Sequence, residues 1–373
     1  MKLSHSLALG AGGLSVLIGA FAAGCSSSST GTTTTDSGAP PVEAGSYMSA
    51  KPPTSSGSAT TSTTTQNFAL HTLQLGDTDR SGSMNQMAWQ NYGFDVDGKF
   101  TTLSSNDVCT RFTGAPSSVQ VDGTDGTDNS FGSNILPLVQ TVAGNGLDAT
   151  LNNTINSGSF TVMFDITGLT SDPMQTNTSL SAQLFGGGKF VEGDGGAGMP
   201  TWTTADNWPV IAQLLNNPTS VSGGSKIKFP DAFIVNGTWV SGTPIATLSL
   251  QLTFSGQSLT LNVHQATITM QHSAANKMTN GTIAGVITTS ELISSLMAIA
   301  GHLSTSLCSG AAFNSIATQI EQDSDIIHDG SNVMGTPCDA ISIGLGFTAD
   351  QIGEPTVVAA PTAPSPNPCG DGG

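Results

Sequence analysis

Leu248-Ser249-Leu250-Gln251-Leu252-Thr253-Phe254 is followed by Ser255-Gly256-Gln257-Ser258 and then by Leu259-Thr260-Leu261-Asn262-Val263. Apolar and polar residues alternate on both sides of a short polar break. A period of two puts every second side chain on one face of a strand, so the stretch predicts a hairpin with one buried face. The pattern continues outward. Ala266, Ile268 and Met270 predict a third strand, and Gly281 to Thr288 a fourth. Phe160, Val162, Phe164 and Ile166 alternate upstream, with Met163 falling on the opposite face. Cys338 to Thr348 predicts a last strand whose glycines suit close packing or a bulge.

Helical spacings interrupt these strands. Ile135, Leu138, Val139 and Val142 share a face, and Leu147, Leu151 and Ile155 recur every fourth residue. Asn207 to Leu215 opens with a cap residue and Pro209. Thr288 and Glu291 have the spacing of a capping box for a helix to Gly301. Ser309 is placed to cap a further helix carrying Phe313, Ile316, Ala317 and Ile320 and stopping near Gly330. The expected fold class is mainly β, an antiparallel β-sandwich-like body with several short helices, with α+β as the alternative. No internal repeat is present, which argues against a propeller or solenoid.

Composition narrows the function. In 373 residues there are 9 Lys+Arg against 26 Asp+Glu, a net charge of −17, and only 9% of residues are charged. Too few cations are present to neutralise a run of phosphates, so nucleic acid is not an expected partner. A chain this poor in Glu, Lys and Arg is not a coiled coil.

The N-terminus gives an address. Met1-Lys2 is a short positive start, Leu7 to Ala23 is apolar or small, and Ala22-Ala23-Gly24-Cys25 closes the stretch. Seventeen such residues with several glycines are short for a membrane span, which needs about 20, but they suit a secretory signal. Ala22-Ala23-Gly24-Cys25 resembles a bacterial lipobox. The resemblance is to outer-membrane and surface lipoproteins of Gram-negative bacteria. It implies cleavage before Cys25 and lipid on the Cys25 sulfur and its new amino group. Ser26, in place of the Asp that favours inner-membrane retention in that family, points to the outer membrane. It implies no activity.

Residues 1–24 are thus read as signal peptide. Residues 25–66 are read as a disordered tether, since 26–66 contain 11 Ser and 11 Thr and little that is apolar. Its expected end-to-end distance is about 35 Å. Residues 67–353 form a single β-rich domain, and 354–373 a Pro/Gly-rich tail. Outside the inner membrane Cys109, Cys308, Cys338 and Cys369 should be oxidised. The expected pairs are Cys308–Cys338, tying the last helix to the last strand, and Cys109–Cys369, fastening the tail.

Acid is concentrated in Asp/Gly loops. These are Asp77-Thr78-Asp79-Arg80-Ser81-Gly82, then Asp95-Val96-Asp97-Gly98, then Asp122-Gly123-Thr124-Asp125-Gly126-Thr127-Asp128-Asn129. Asp77, Asp79, Asp95, Asp97, Asp122, Asp125 and Asp128 are candidate Ca²⁺ ligands, because Ca²⁺ takes six to eight oxygens on Gly-permitted loops. The first loop resembles the opening half of an EF-hand loop, but Ala88 stands where that family has a bidentate Glu. Asp-Gly is equally a turn dipeptide, and Asp caps backbone amides.

No G-x-S-x-G, H-E-x-x-H, P-loop or CxxC is present. Six scattered histidines form no metal motif and are expected on the surface or at caps, with His328 near a helix C-terminus. Trp89, Trp202, Trp208, Trp239 and Tyr92 are available for carbohydrate contact, but with aromatics at only 6% most of them are expected to be needed for the core. The expectation is a lipid-anchored, non-enzymatic binding or structural protein, Ca²⁺-stabilised, with a carbohydrate or protein ligand. The alternative is a secreted hydrolase of polysaccharide or ester that uses Asp carboxylates.

Overall fold

A computed structural model describes residues 49–191, 198–254, 257–308, 310–361 and 368–369. The segment read as a signal peptide, Cys25 and the predicted tether as far as residue 48 lie outside the described residues.

Strands β1 (Thr65–Gln74), β2 (Thr161–Thr167) and β3 (Ser181–Gly187) come first, with helices α1 (Leu136–Ala143) and α2 (Leu147–Asn156) between β1 and β2. Short strands β4 (Leu215–Asn217), β5 (Ser220–Ser225), β6 (Ile227–Phe229), β7 (Phe233–Val235) and β8 (Thr238–Val240) follow. The long strands β9 (Ile245–Phe254), β10 (Gln257–Ala274) and β11 (Lys277–Thr288) lead to α3 (Thr289–Leu303), α4 (Gly310–Gln322) and β12 (Ala340–Ile352). The body is mainly β. One curled sheet runs β6-β3-β2-β1-β12-β11-β10-β8-β7, with β9 also on β10, and β4–β5 form a separate ribbon. Every pairing between named strands is antiparallel.

The alternation read from the sequence explains the two faces. Phe68, Phe164 and Phe347 bury one side, where Phe164 lies against Phe347 at 5.8 Å and Trp239 at 6.2 Å. Leu151, Ile155, Leu292, Leu296, Ile299 and Ile320 from the helices join this core. Ala69, Met163, Phe185 and Ile352 point the other way and pack with Trp208, Val210 and Leu215. Met163 is therefore the first member of a second, smaller core.

The hairpin 248–263 forms, as β9 and the first half of β10. The expected third strand is the second half of that same β10. Gln265, at φ 51, kinks the strand, and its pairing with β11 shifts register between His264 and Thr267. The capping box forms: the Thr288 hydroxyl accepts the Glu291 N–H at 3.2 Å and donates to the Glu291 carboxylate at 2.7 Å.

Several expectations are corrected. Asn207 to Leu215 is not a helix, because its backbone is engaged by extended neighbours. Val210 N–H donates to Val357 and Ile211 N–H to Gly186, leaving only a 3-10 turn at Ala212–Leu214. Ser309 lies outside the described residues. The helix after it stops at Gln322, well before Gly330, because Asp325 and Ile326 turn to pair with Ala340. The last part of the predicted tether, 49–66, is laid onto the body. Ala50 N–H donates to Asp125 O, Thr60 N–H to the Asn177 side chain, and β1 begins at Thr65. The tail is pinned too, through Ala359 N–H to Val210 O.

All four described cysteines are paired, but the connectivity is Cys109–Cys338 and Cys308–Cys369. Thr110 N–H donates to Thr336 O and Cys338 N–H to Thr110 O, so the 109–110 segment runs beside the entry to β12. That leaves Cys308, on the turn between α3 and α4, for the tail.

Candidate metal centre

The glycines of β12 open the way to the site. A Cβ on Gly344 would lie 2.1 Å from Tyr92 O, and one on Gly346 2.4 Å from the Tyr92 ring. Only bare backbone lets the Asp-rich loops lie directly on the sheet. Asn129, 2% exposed, then pins them. Its amide donates to Trp89 O, Tyr92 O and Gly344 O at 3.0–3.1 Å, and its carbonyl accepts from Gly132 and Gly344 N–H. Ser130 adds a bond from its N–H to Ser342 Oγ and one from its hydroxyl to Asp323 O.

This folding brings the second and third Asp loops together. Asp128 N–H donates to Phe94 O, and the Asp128 carboxylate accepts from Val96 N–H at 2.7 Å and Asp97 N–H at 3.2 Å. One carboxylate oxygen from each of Asp95, Asp97 and Asp128 lies within 4.8 Å of the others. Ligands about 2.4 Å from one Ca²⁺ are at most about 4.8 Å apart, so the spacing is that of a shared ion. The donors are all oxygen, which selects a hard cation.

Asp122 and Asp325 flank the trio. Asp122 accepts Thr101 N–H at 2.5 Å, and Asp325 accepts both the N–H and the hydroxyl of Ser342 at 2.9 and 2.6 Å. Asn332 donates to Asp97 at 2.8 Å. Lys51 Nζ stands 3.9 Å from Asp95 with its side chain 58% exposed, and the Ser49 hydroxyl also donates to Asp95.

Burial dominates the electrostatics. It raises Asp97, pushes Asp122 up to about 8 and Asp325 to about 7, and holds Asp128 well above the usual range. Repulsion from Asp97 adds to the last three. Buried negative charges of one sign must be neutralised by protons or by a cation.

The remaining candidates do not join this centre. Asp125 is exposed, at φ 54, and forms a turn with Gly126. Asp79 closes on its own loop, accepting the Ser81 N–H and hydroxyl at 2.8 and 2.6 Å and the Ser83 N–H at 3.1 Å. Those bonds lower its pKa. Asp77 points inward to Gln140 at 2.8 Å and to Asp148, so the likeness to half an EF-hand loop does not bring Asp77 and Asp79 together as ligands.

Of the histidines, His328 pairs with Asp339 at 2.8 Å instead of capping a helix. His264 bridges Thr247 and Glu291 on the sheet surface. His272 is fully buried, because it sits opposite Met278 on the core face of β10. Sequence reasoning missed Asp325, Asn332 and Asn129 as parts of the centre. Asp323-Ser324-Asp325 and Asp329-Gly330-Ser331-Asn332 were a legible fourth Asp/Gly cluster.

No protein-family model, curated protein or solved structure matches this chain. The functional reading therefore rests on the chain's own sequence and geometry.

Proposed function

We propose that this is a lipid-anchored surface lipoprotein, a non-enzymatic binding or structural module whose second and third acidic loops are fastened together by Ca²⁺. The observation that carries the reading is the convergence of Asp95, Asp97 and Asp128 on one point. Asp95 and Asp128 are each 4% exposed, and the loops that present them are held by Asn129 and by the Cys109–Cys338 disulfide. Such a centre resembles a staple more than a reaction site. Its carboxylates are also closer than the roughly 5–9.5 Å of a glycosidase pair, which weighs against the hydrolase reading.

Ca²⁺ would displace the protons that the centre otherwise holds, so binding should release protons and strengthen as pH rises. The lipid on Cys25 would attach the chain to the outer membrane, and the residues up to 48 would act as spacer. Thermal melting in Ca²⁺ and in EDTA tests the staple. Partition of the wild type and Cys25→Ser into detergent tests the anchor, with the variant expected in the aqueous phase.

A further inference from the structure

A second feature of the loop layer has no part in the metal centre. Between the Ala88–Asn91 turn and α1 lies a cleft of about 560 Å³, within the range of small-molecule sites. Phe131–Ile135 on its wall is a π-helical turn, a distortion frequent at functional sites. Gly132 sits so close to Trp89 that a Cβ there would fall 2.5 Å from the Trp89 Cβ, so the wall and the aromatic are fitted to each other.

The lining has a definite chemistry. Its exposed apolar surface comes from Met87 and Leu103, 53% and 66% exposed at the rim, over Trp89, which is itself only 9% exposed. Gln86 and Gln90 line the same cleft, and their side-chain amides make no hydrogen bond to the described residues. At the base is Asp77, 4% exposed. Its Oδ2 accepts from Gln140, and its Oδ1 has no partner among the described residues other than the Asp148 carboxyl. Burial, and then the hydrogen bond with Asp77, push Asp148 up to about 8. Among the described residues no Lys, Arg or His lines the cleft.

We propose that this cleft binds a neutral saccharide chain, with the sugar's apolar face on Met87 and Leu103 above the buried Trp89 and its hydroxyls on Gln86 and Gln90. Free amides both donate and accept, as hydroxyls do. The Asp77 carboxylate beneath them, buried and engaged with Gln140 and Asp148, is a poor seat for an ammonium. Anions are refused by Asp77 and by the net charge of −17. Among the described residues no strand borders the cleft, so an extended peptide finds no sheet edge to pair with there. The inference rests on the binding-module reading above and is independent of the ion.

Calorimetric titration of the lipidated protein in a sugar-free detergent, with Ca²⁺ present, tests it using cellotetraose, maltotetraose and chitotetraose. At least one should bind with a Kd below about 5 mM. The Gln86→Ala/Gln90→Ala variant should melt as the wild type does and bind about tenfold more weakly, the equivalent of one or two lost hydrogen bonds. Ser133→Trp, which fills the cleft from its wall, should abolish binding. Absence of heat with all three sugars overturns the proposal. So does unchanged affinity in both variants, or binding of spermidine or a neutral tetrapeptide at this cleft with none of the sugars. Melting in Ca²⁺ and EDTA is measured on the same samples, so failure of the staple and failure of the cleft are read separately.

Discussion

Asp79 and Asp128 come from loops of nearly the same composition and end in opposite states. Asp79 is fully satisfied within five residues of chain, by Ser81 and Ser83, and its carboxyl is held below the usual range. Asp128 is buried against Phe94, Val96 and Asp97, is surrounded by other carboxylates, and is held well above it. Asp-Gly spacing sets the turn in both cases. What differs is whether glycines on a facing strand let the loop sink onto the sheet. Local composition therefore states which loops can turn, and tertiary contact decides which of them gathers charge.

The comparison breaks most visibly by deletion. Asp128→Ala leaves the Val96 and Asp97 N–H groups without an acceptor. It should destabilise by about 2–4 kcal/mol in EDTA and remove the Ca²⁺ response entirely, as read by denaturant melts with and without the ion. Asp128→Asn keeps an acceptor and should retain most metal-free stability while still losing the Ca²⁺ response.

Next is the covalent tie. Cys109→Ser/Cys338→Ser frees the segment beside the acidic loops from the entry to β12 and should cost about 2–4 kcal/mol in the same melts. The Ca²⁺-induced shift should shrink but persist in this variant.

The two kinds of loop should also give pH slopes of opposite sign. Asp122 and Asp325, at about 8 and about 7 when folded, keep protons that the unfolded chain gives up above about pH 4. In EDTA stability should thus fall as pH rises from about 4 to about 8, then level off. Asp148, also at about 8, contributes in the same direction. The lowered Asp79 acts oppositely, losing its stabilisation only as pH falls below the usual carboxylate range. Melting temperatures in EDTA across pH 4–9 check the sign, and saturating Ca²⁺ should flatten the descent because the ion replaces the protons. The smallest effect is expected from Asp79→Ala, which should melt close to the wild type and keep an unaltered Ca²⁺ response.

Much of the sheet was legible because burial imposes a period of two. The alternations from Phe160 and from Leu248 name β2, β9 and half of β10, and the isolated Met163 announces the second core. The α3 cap was legible for an equally local reason, since Thr288 and Glu291 satisfy each other three residues apart. Asn207 to Leu215 misled because its backbone partners, Gly186 and Val357, are far away in the chain. Cysteine pairing failed likewise, because nothing near Cys109 reveals that Thr110 will lie beside Thr336. For the site, Asp95, Asp97, Asp122 and Asp128 could be named in advance from their Asp-Gly loops. Asp325 and Asn332 could be placed with them only once the chain was folded.

The central claim is that the second and third acidic loops hold one ion. Calcium titration of the wild type, followed by calorimetry in buffers of different ionisation enthalpy and by melting, tests it most directly. The account predicts one Ca²⁺ per chain, proton release on binding, and a rise in Tm of about 5 °C at 100 times the Kd. The same Tm in millimolar Ca²⁺ and in EDTA, with no heat of binding, would contradict it.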